Sequence, residues 1–422
     1  MTWRQSLFVA FRSSFTPAVM PHQSTVKRQF SRLQYNLSSR PLFRKALYRQ
    51  TFGVHVNSQR YLHPLVILVA RQLAKGLAIF TGRGFRKWWK SLPPNRRAYF
   101  AQRFRENRGK IALGLSLTGG LGSLYYISHL QRAPITGRLR FIAFSDEQMA
   151  KLTEFQHKME IVPLRKDLFP INHAYVRRMK SVAEQLLAGN RDLPQIYEKN
   201  WSVSVIDSPL QNAFVLPNGQ IYVFRGMLEL CQNDDELGCI LAHEMAHAVL
   251  NHSAENISYA HFVDICVVFL LAVIWAVMPS DGIAAITHWL FNKIVALMLH
   301  LPYSRKLETE ADTVGLELAA KACFDVRHSS TFWAKMELLR ELKNQEKIPE
   351  FLSTHPTDAN RCQTLDGQIG DMLKKRMQCR CPPLPRRDPR TSIEGLRHEV
   401  DRVKKWQQEM EKEGIAYITT KR

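Results

Sequence analysis

Acid is what the first quarter of this chain lacks. Of its 422 residues, those up to Lys110 include 22 Lys and Arg but a single carboxylate, Glu106. Beyond Lys110 the count is almost even, with 37 basic and 36 acidic residues. The net charge of +22 therefore belongs to the N-terminal region, which excludes nucleic-acid binding as the business of the folded part. Cysteine is sparse: seven residues, an odd number without regular spacing, exclude a disulfide framework. One bridge remains open without a pairing, and Cys379-Arg-Cys381 alone is too little for a zinc site. The start also lacks a continuous apolar core, which excludes a secretory signal.

Residues 1–60 are rich in Arg, Ser, Gln and aromatics and hold no acid, the composition of a mitochondrial transit region. Residues 61–110 form a basic, membrane-proximal segment. Within it Pro64 to Phe80 is apolar but interrupted by Arg71 and Lys75, and Trp88 and Trp89 stand among cations. That mixture suits an interface with anionic lipid such as cardiolipin; a solvated basic linker is the alternative. Residues 111–130 carry no charge from Ile111 to Ser128 and predict a transmembrane helix. Many cations precede it and few follow, so the positive-inside rule keeps the N-terminal side in the matrix and puts the rest in the intermembrane space.

A folded domain is expected over 138–375, and 376–422 reads as a linker followed by a charged helix. Asn212–Leu216 and Gln220–Phe224 flank Pro217-Asn218-Gly219, the pattern of a hairpin with a turn. Two apolar runs make up 262–301, separated by Pro279-Ser280-Asp281-Gly282. They suit either a hairpin dipping into the membrane or a buried pair of helices.

The chemistry is carried by His243-Glu244-Met245-Ala246-His247. On a helix, residues four apart share a face, so His243 and His247 can present both imidazoles to one Zn²⁺. Glu244 leaves the same turn at another angle and can serve as base toward a water. The helix is expected independently of the motif: Asn233 caps it, Glu236 completes the pattern of a capping box, and Leu237, Ile240 and Leu241 recur at helical spacing. A catalytic zinc needs a third protein ligand. Leu250 and Ser253 occupy the places that a metzincin would give to Gly and His, so the ligand comes from elsewhere. Glu308 can supply it from a later helix, with Asp312 one turn on to accept a hydrogen bond from a zinc-bound His. Glu310 competes but falls on another face, and Glu255 lies beyond the zinc helix.

His243-Glu-x-x-His247, Arg305-x-x-Glu308-x-x-x-Asp312 and Thr354-His355-Pro356-x-x-x-x-Arg361 stand in this order in the chain. With them it resembles the membrane metalloproteases of the CAAX-prenyl-protease and HtpX heat-shock type. The leader and the single convincing span make it similar to the mitochondrial inner-membrane branch, whose activity overlaps with the m-AAA protease. That resemblance implies an α+β fold: an α-rich zincin-type domain with a small edge hairpin, preceded by a transmembrane helix. It implies one Zn²⁺ per chain on His243, His247 and Glu308, with Glu244 as base and Asn212 and Ala213 as the edge strand that receives substrate. His355 is expected as a catalytic donor to the oxyanion, and Arg361 as a structural partner of an active-site carboxylate. It further implies a stress-activated endopeptidase cleaving inner-membrane proteins, among them the dynamin-like fusion GTPase. Assembly into homo-oligomers is compatible with the sequence. The rival reading is a catalytically inactive membrane scaffold with the same fold.

Overall fold

The computed structural model describes residues 64–342, 355 and 361–412; the transit region expected over 1–60 lies outside them. Three helices open the described chain: α1 (Pro64–Ser91), α2 (Pro94–Glu106) and α3 (Arg108–Ser128). A two-stranded antiparallel hairpin follows at once, β1 (Leu130–Arg132) with β2 (Leu139–Phe141). Next come α4 (Asp146–Gln156), α5 (Ala174–Gly189) and the short α6 (Pro194–Tyr197). The main sheet has three strands, β3 (Ser202–Ile206), β4 (Ala213–Val215) and β5 (Gln220–Phe224). The helices α7 (Arg225–Leu230), α8 (Asp234–Val249), α9 (His252–Val277), α10 (Asp281–Val295), α11 (Leu301–Lys321), α12 (His328–Leu342), α13 (Arg361–Gln378) and α14 (Thr391–Lys412) complete it. The architecture is thus mostly helical with small sheets, as the α+β expectation has it.

In the main sheet β5 lies between β3, which pairs with it in parallel, and β4, which pairs with it in antiparallel register, Ala213 opposite Val223. The Pro217–Gly219 turn works because Gly219 takes a φ of 89°, a conformation that other residues adopt only at a cost. β4 stands at the sheet edge, with one side unpaired among the described residues.

The helix α8 starts where Asn233 Oδ1 accepts the Glu236 N–H at 2.8 Å. The reciprocal half of the capping box is not made. The Glu236 carboxylate reaches one residue further back, to the Gln232 N–H at 3.0 Å, and also takes Lys335. Asp234, Asp235 and Glu236 in the first turn favour the positive end of the helix dipole. Apolar side chains surround α8: Leu237, Leu241 and Met245 are buried with Met179, Leu186 and Phe332. Asn251, in the left-handed region at φ 56°, ends α8 and redirects the chain into α9. On the other side α11 lies so close that a Cβ at Gly315 would sit 2.8 Å from His243 Cα. Only glycine allows that approach, and it brings Glu308 and Asp312 to the zinc motif. A disulfide, Cys323–Cys381, ties the end of α11 to the chain just beyond α13, the pairing that the sequence did not assign.

Helix α3, helix α9 and the continuous helical stretch Asp281–Lys321 are long and apolar enough to cross a membrane. Of the apolar window in α9 22% is buried inside the protein, and of that in Asp281–Lys321 6%. Their outward faces show Phe269, Leu270, Ile286, Trp289 and Leu290. Helix α1 runs beside α9. Its Arg71 and Lys75 pair with Asp264, and Arg83 and Arg86 pair with Asp281. It therefore continues past Phe80 to Ser91 as one packed helix instead of lying alone. The C-terminal α14 rests on α12 and buries Val400.

Candidate metal centre and active site

One turn of α8 separates His243 from His247, and their Nε2 atoms face each other at 3.2 Å. From α11, Glu308 brings Oε2 to 3.4 Å from His243 Nε2 and Oε1 to 3.5 Å from His247 Nε2. A tetrahedral zinc with ligand bonds near 2.0–2.1 Å requires donors about 3.3–3.4 Å apart. The observed spacings match that edge length. Two lone-pair nitrogens and a carboxylate converging in a buried space otherwise repel, so the set fits a cation. The carboxylates around it also favour positive charge at His243. Burial pulls the His243 imidazole down, but Asp312 and Glu308 outweigh it and raise its pKa to about 9. Burial holds His247 well below the usual imidazole range, which keeps its lone pair free. Burial also pushes Glu308 up, yet His355, His243 and His247 hold it well below the ordinary carboxylate range.

The structure brings the other expected residues to the same place. Asp312 Oδ1 lies 2.9 Å from His243 Nδ1, on the side away from the donor cluster. Arg361 grips Asp312 with a two-pronged contact, Nε to Oδ2 and Nη2 to Oδ1, both at 2.7 Å. Its guanidinium lies 3.4 Å from the centre of the Trp333 ring. Arg361 thus fixes Asp312, and Asp312 fixes the His243 ring. Trp333 was not among the expected residues, and no sequence signal separates it from an ordinary core aromatic.

Glu244 is buried beside the cluster, and burial raises its pKa against the pull of His355 and His243. A carboxylate shifted in this direction is a better proton acceptor near neutral pH. His355 stands between the parts: Nε2 is 3.2 Å from Glu244 Oε1, and Nδ1 is 3.1 Å from Glu308 Oε2 and 3.3 Å from His243 Nε2. Its Nδ1 is therefore within reach of the same cation as the other three donors, a position that an oxyanion donor does not require. Thr354 and Pro356, expected to shape its loop, lie outside the described residues.

His355 also borders a cleft whose far wall is the edge strand β4, with Asn212, Ala213 and Phe214, and whose floor includes Ile161, Leu164 and Leu216. Phe224 N–H donates to the Asn212 carbonyl, which fixes the start of β4 against β5. An extended chain laid along β4 would pass His355, whose Nε2 lies 3.2 Å from Glu244.

A second group of possible ligands sits next to the first: His252, Glu255 and Glu310. None was expected as part of the site. His252 Nδ1 lies 2.9 Å from His247 Nδ1. The sequence marks His252 only as a histidine five residues past His247, outside the metzincin register.

The family model for Peptidase family M48 matches residues 175–369. The chain is 43% identical over 327 residues to the human "Metalloendopeptidase OMA1, mitochondrial", covering 78% of this chain and 62% of that protein. With the Danio rerio protein of the same description it shares 40% identity over 348 residues, 82% of this chain and 73% of the relative. With the Schizosaccharomyces pombe "Mitochondrial metalloendopeptidase OMA1" it shares 34% over 279 residues, 66% of this chain and 77% of the relative. The chain thus spans a little under two thirds of the length of the human relative.

Proposed function

The chain belongs to peptidase family M48, among mitochondrial metalloendopeptidases of the OMA1 type, and from that premise we propose that it is a zinc-dependent endopeptidase of the mitochondrial inner membrane. The observation that carries the reading is the convergence of His243, His247 and Glu308 at zinc-ligand spacing beside a buried Glu244. When bound, Zn²⁺ supplies Lewis acidity that polarises the scissile carbonyl and makes the attacking water more acidic.

The residues do the rest. β4 takes the substrate backbone as an added strand and holds the scissile bond beside Glu244. Glu244 removes a proton from the water as its oxygen bonds to the carbonyl carbon, then delivers a proton to the amine nitrogen as the C–N bond breaks. His355, with Nε2 3.2 Å from Glu244, donates to the oxyanion. Asp312 and Arg361 hold the His243 ring throughout.

The substrates we propose are inner-membrane proteins, including the dynamin-like fusion GTPase, cleaved on activation by stress. The family resemblance supports this, as does an open cleft beside an edge strand. The catalytic domain faces the intermembrane space: the basic α2 precedes α3, and fewer cations follow it than precede it. Exposed Tyr99, Phe100 and Phe104 among the arginines of α2 support contact with cardiolipin. The uncovered faces of α9 and α10 support insertion of 262–301 into the same bilayer.

Zinc content and proteolysis, measured side by side for the wild type and Glu244→Gln, test the reading. Full zinc and no cleavage in the variant are expected. Cleavage at the wild-type rate removes Glu244 from its role.

A further inference from the structure

An imidazole that binds a metal through Nε2 keeps its proton on Nδ1, and that N–H needs an acceptor. For His243 the group that faces that nitrogen is the Asp312 carboxylate, at 2.9 Å. For His247 it is a second imidazole, His252 Nδ1 at 2.9 Å. This fixes every proton along the line. His247 donates, so His252 accepts at Nδ1 and carries its own proton on Nε2. That nitrogen faces Glu310 Oε2 at 3.3 Å. Glu310 takes Arg138 Nε at 2.9 Å and the Thr136 hydroxyl. Arg138 also forks onto Glu255 at 2.7 and 2.8 Å, and the Tyr303 hydroxyl donates to Glu255 at 2.7 Å. His252 is 3% exposed and Glu255 fully enclosed, so water does not substitute for these partners.

The donors to these carboxylates come largely from one short stretch. Thr136, Arg138 and Arg140 all belong to the β1–β2 hairpin, the first structure after α3. Arg140 also donates to the Leu250 carbonyl, just beyond the last turn of α8, where a cation meets the negative end of the helix dipole. The hairpin thus holds α8 at its C-terminal end and, through Glu310 and His252, the outer nitrogen of His247. Two arginines balance two carboxylates, which makes this buried network tolerable. Arg138 lies between Glu255 and Glu310, so the second group of carboxylates is already occupied by a cation and is a brace, not a second metal site.

We propose that the β1–β2 hairpin is a working part of the metal centre: Arg138, acting through Glu310 and His252, locks His247 in the tautomer that binds metal. These are positioning residues, and they join the membrane anchor directly to a ligand. The inference rests on the zinc reading of His243, His247 and Glu308.

The test uses the full chain in detergent, loaded with zinc, and reads the rate at which a chelator strips the metal, with thermal unfolding of the metal-free protein as control. His252→Leu removes the acceptor and is expected to speed zinc loss 10–100-fold, the scale for removing such a partner. His252→Asn places an oxygen near the position of Nδ1 and is expected to recover most of the retention. Arg138→Lys keeps the charge but loses the fork, and is expected to fall between the wild type and His252→Leu. Wild-type retention in His252→Leu overturns the proposal. So does equal loss in the Leu and Asn variants, which assigns His252 to packing alone. Arg138→Lys and Arg138→Met both retaining zinc like the wild type would remove the hairpin from the site. A wild-type protein that binds no zinc, or a His247→Ala variant that binds it normally, overturns the zinc reading instead.

Discussion

Two groups of histidine and carboxylate lie side by side in this protein, and their residue types are nearly the same. His243, His247, Glu308 and His355 form one; His252, Glu255 and Glu310 form the other. What separates them is the occupant. In the second group the Arg138 guanidinium already sits between the two carboxylates. In the first, Arg361 spends its fork on Asp312 and only grazes Glu308, at 3.4 Å, leaving the inner face of the donors to a cation from outside. Ligand-like residues in proximity are thus no metal site until the charge balance is counted.

The sharpest way to break this comparison is to make the same change on both sides. Glu308→Gln is expected to abolish zinc binding and proteolysis together. Glu255→Gln is expected to leave one zinc per chain at saturating metal while costing about 3–5 kcal/mol of stability, the scale for breaking a buried pair. Elemental analysis and thermal unfolding read both, and two zinc ions per wild-type chain would end the distinction. Next in size is Glu244→Gln, which should keep its zinc and lose about 10²–10⁴ in turnover, the range of a general base. His355→Ala should lower kcat by about 10²–10³ with KM, zinc content and Tm little changed. A fall in activity that merely tracks zinc would instead make His355 a ligand.

The smallest effect concerns the start of α8. Burial pushes Glu236 up, but His328, Lys335 and the Gln232 N–H win and lower its pKa from 4.5 to about 2. A carboxylate depressed on folding stabilises above its unfolded value, and that contribution fades as pH falls from 4.5 toward about 2. At neutral pH it is worth up to about 3 kcal/mol. Acid titration of unfolding should show a shallower loss in Glu236→Gln across that window than in the wild type.

The candidate metal ligands were legible in sequence because a helix imposes the spacing of His243 and His247, and the same periodicity sets Glu308 and Asp312 on one face. Helix α8 and the β4–β5 hairpin were legible from capping, alternation and a turn glycine. What stayed hidden depended on distant packing. His252, Glu310 and Arg138 meet across three elements, and nothing local marks them as partners. The Cys323–Cys381 pairing required knowing where α11 and α13 end. The reciprocal cap at Asn233 was expected from four residues, but Lys335, from a helix about a hundred residues on, draws the Glu236 carboxylate elsewhere.

Cys323 and Cys381 are 58 residues apart, and the loop of chain they close contains α12, His355 and Arg361. A single nick anywhere inside that loop, including 343–354, releases nothing. The two pieces stay joined through sulfur, and the nicked chain runs as one band on a non-reducing gel and as two after thiol treatment. Fragment patterns read only under reducing conditions would therefore count as broken a molecule in which His355 and Arg361 are still tethered to the helices that carry His243, His247 and Glu308.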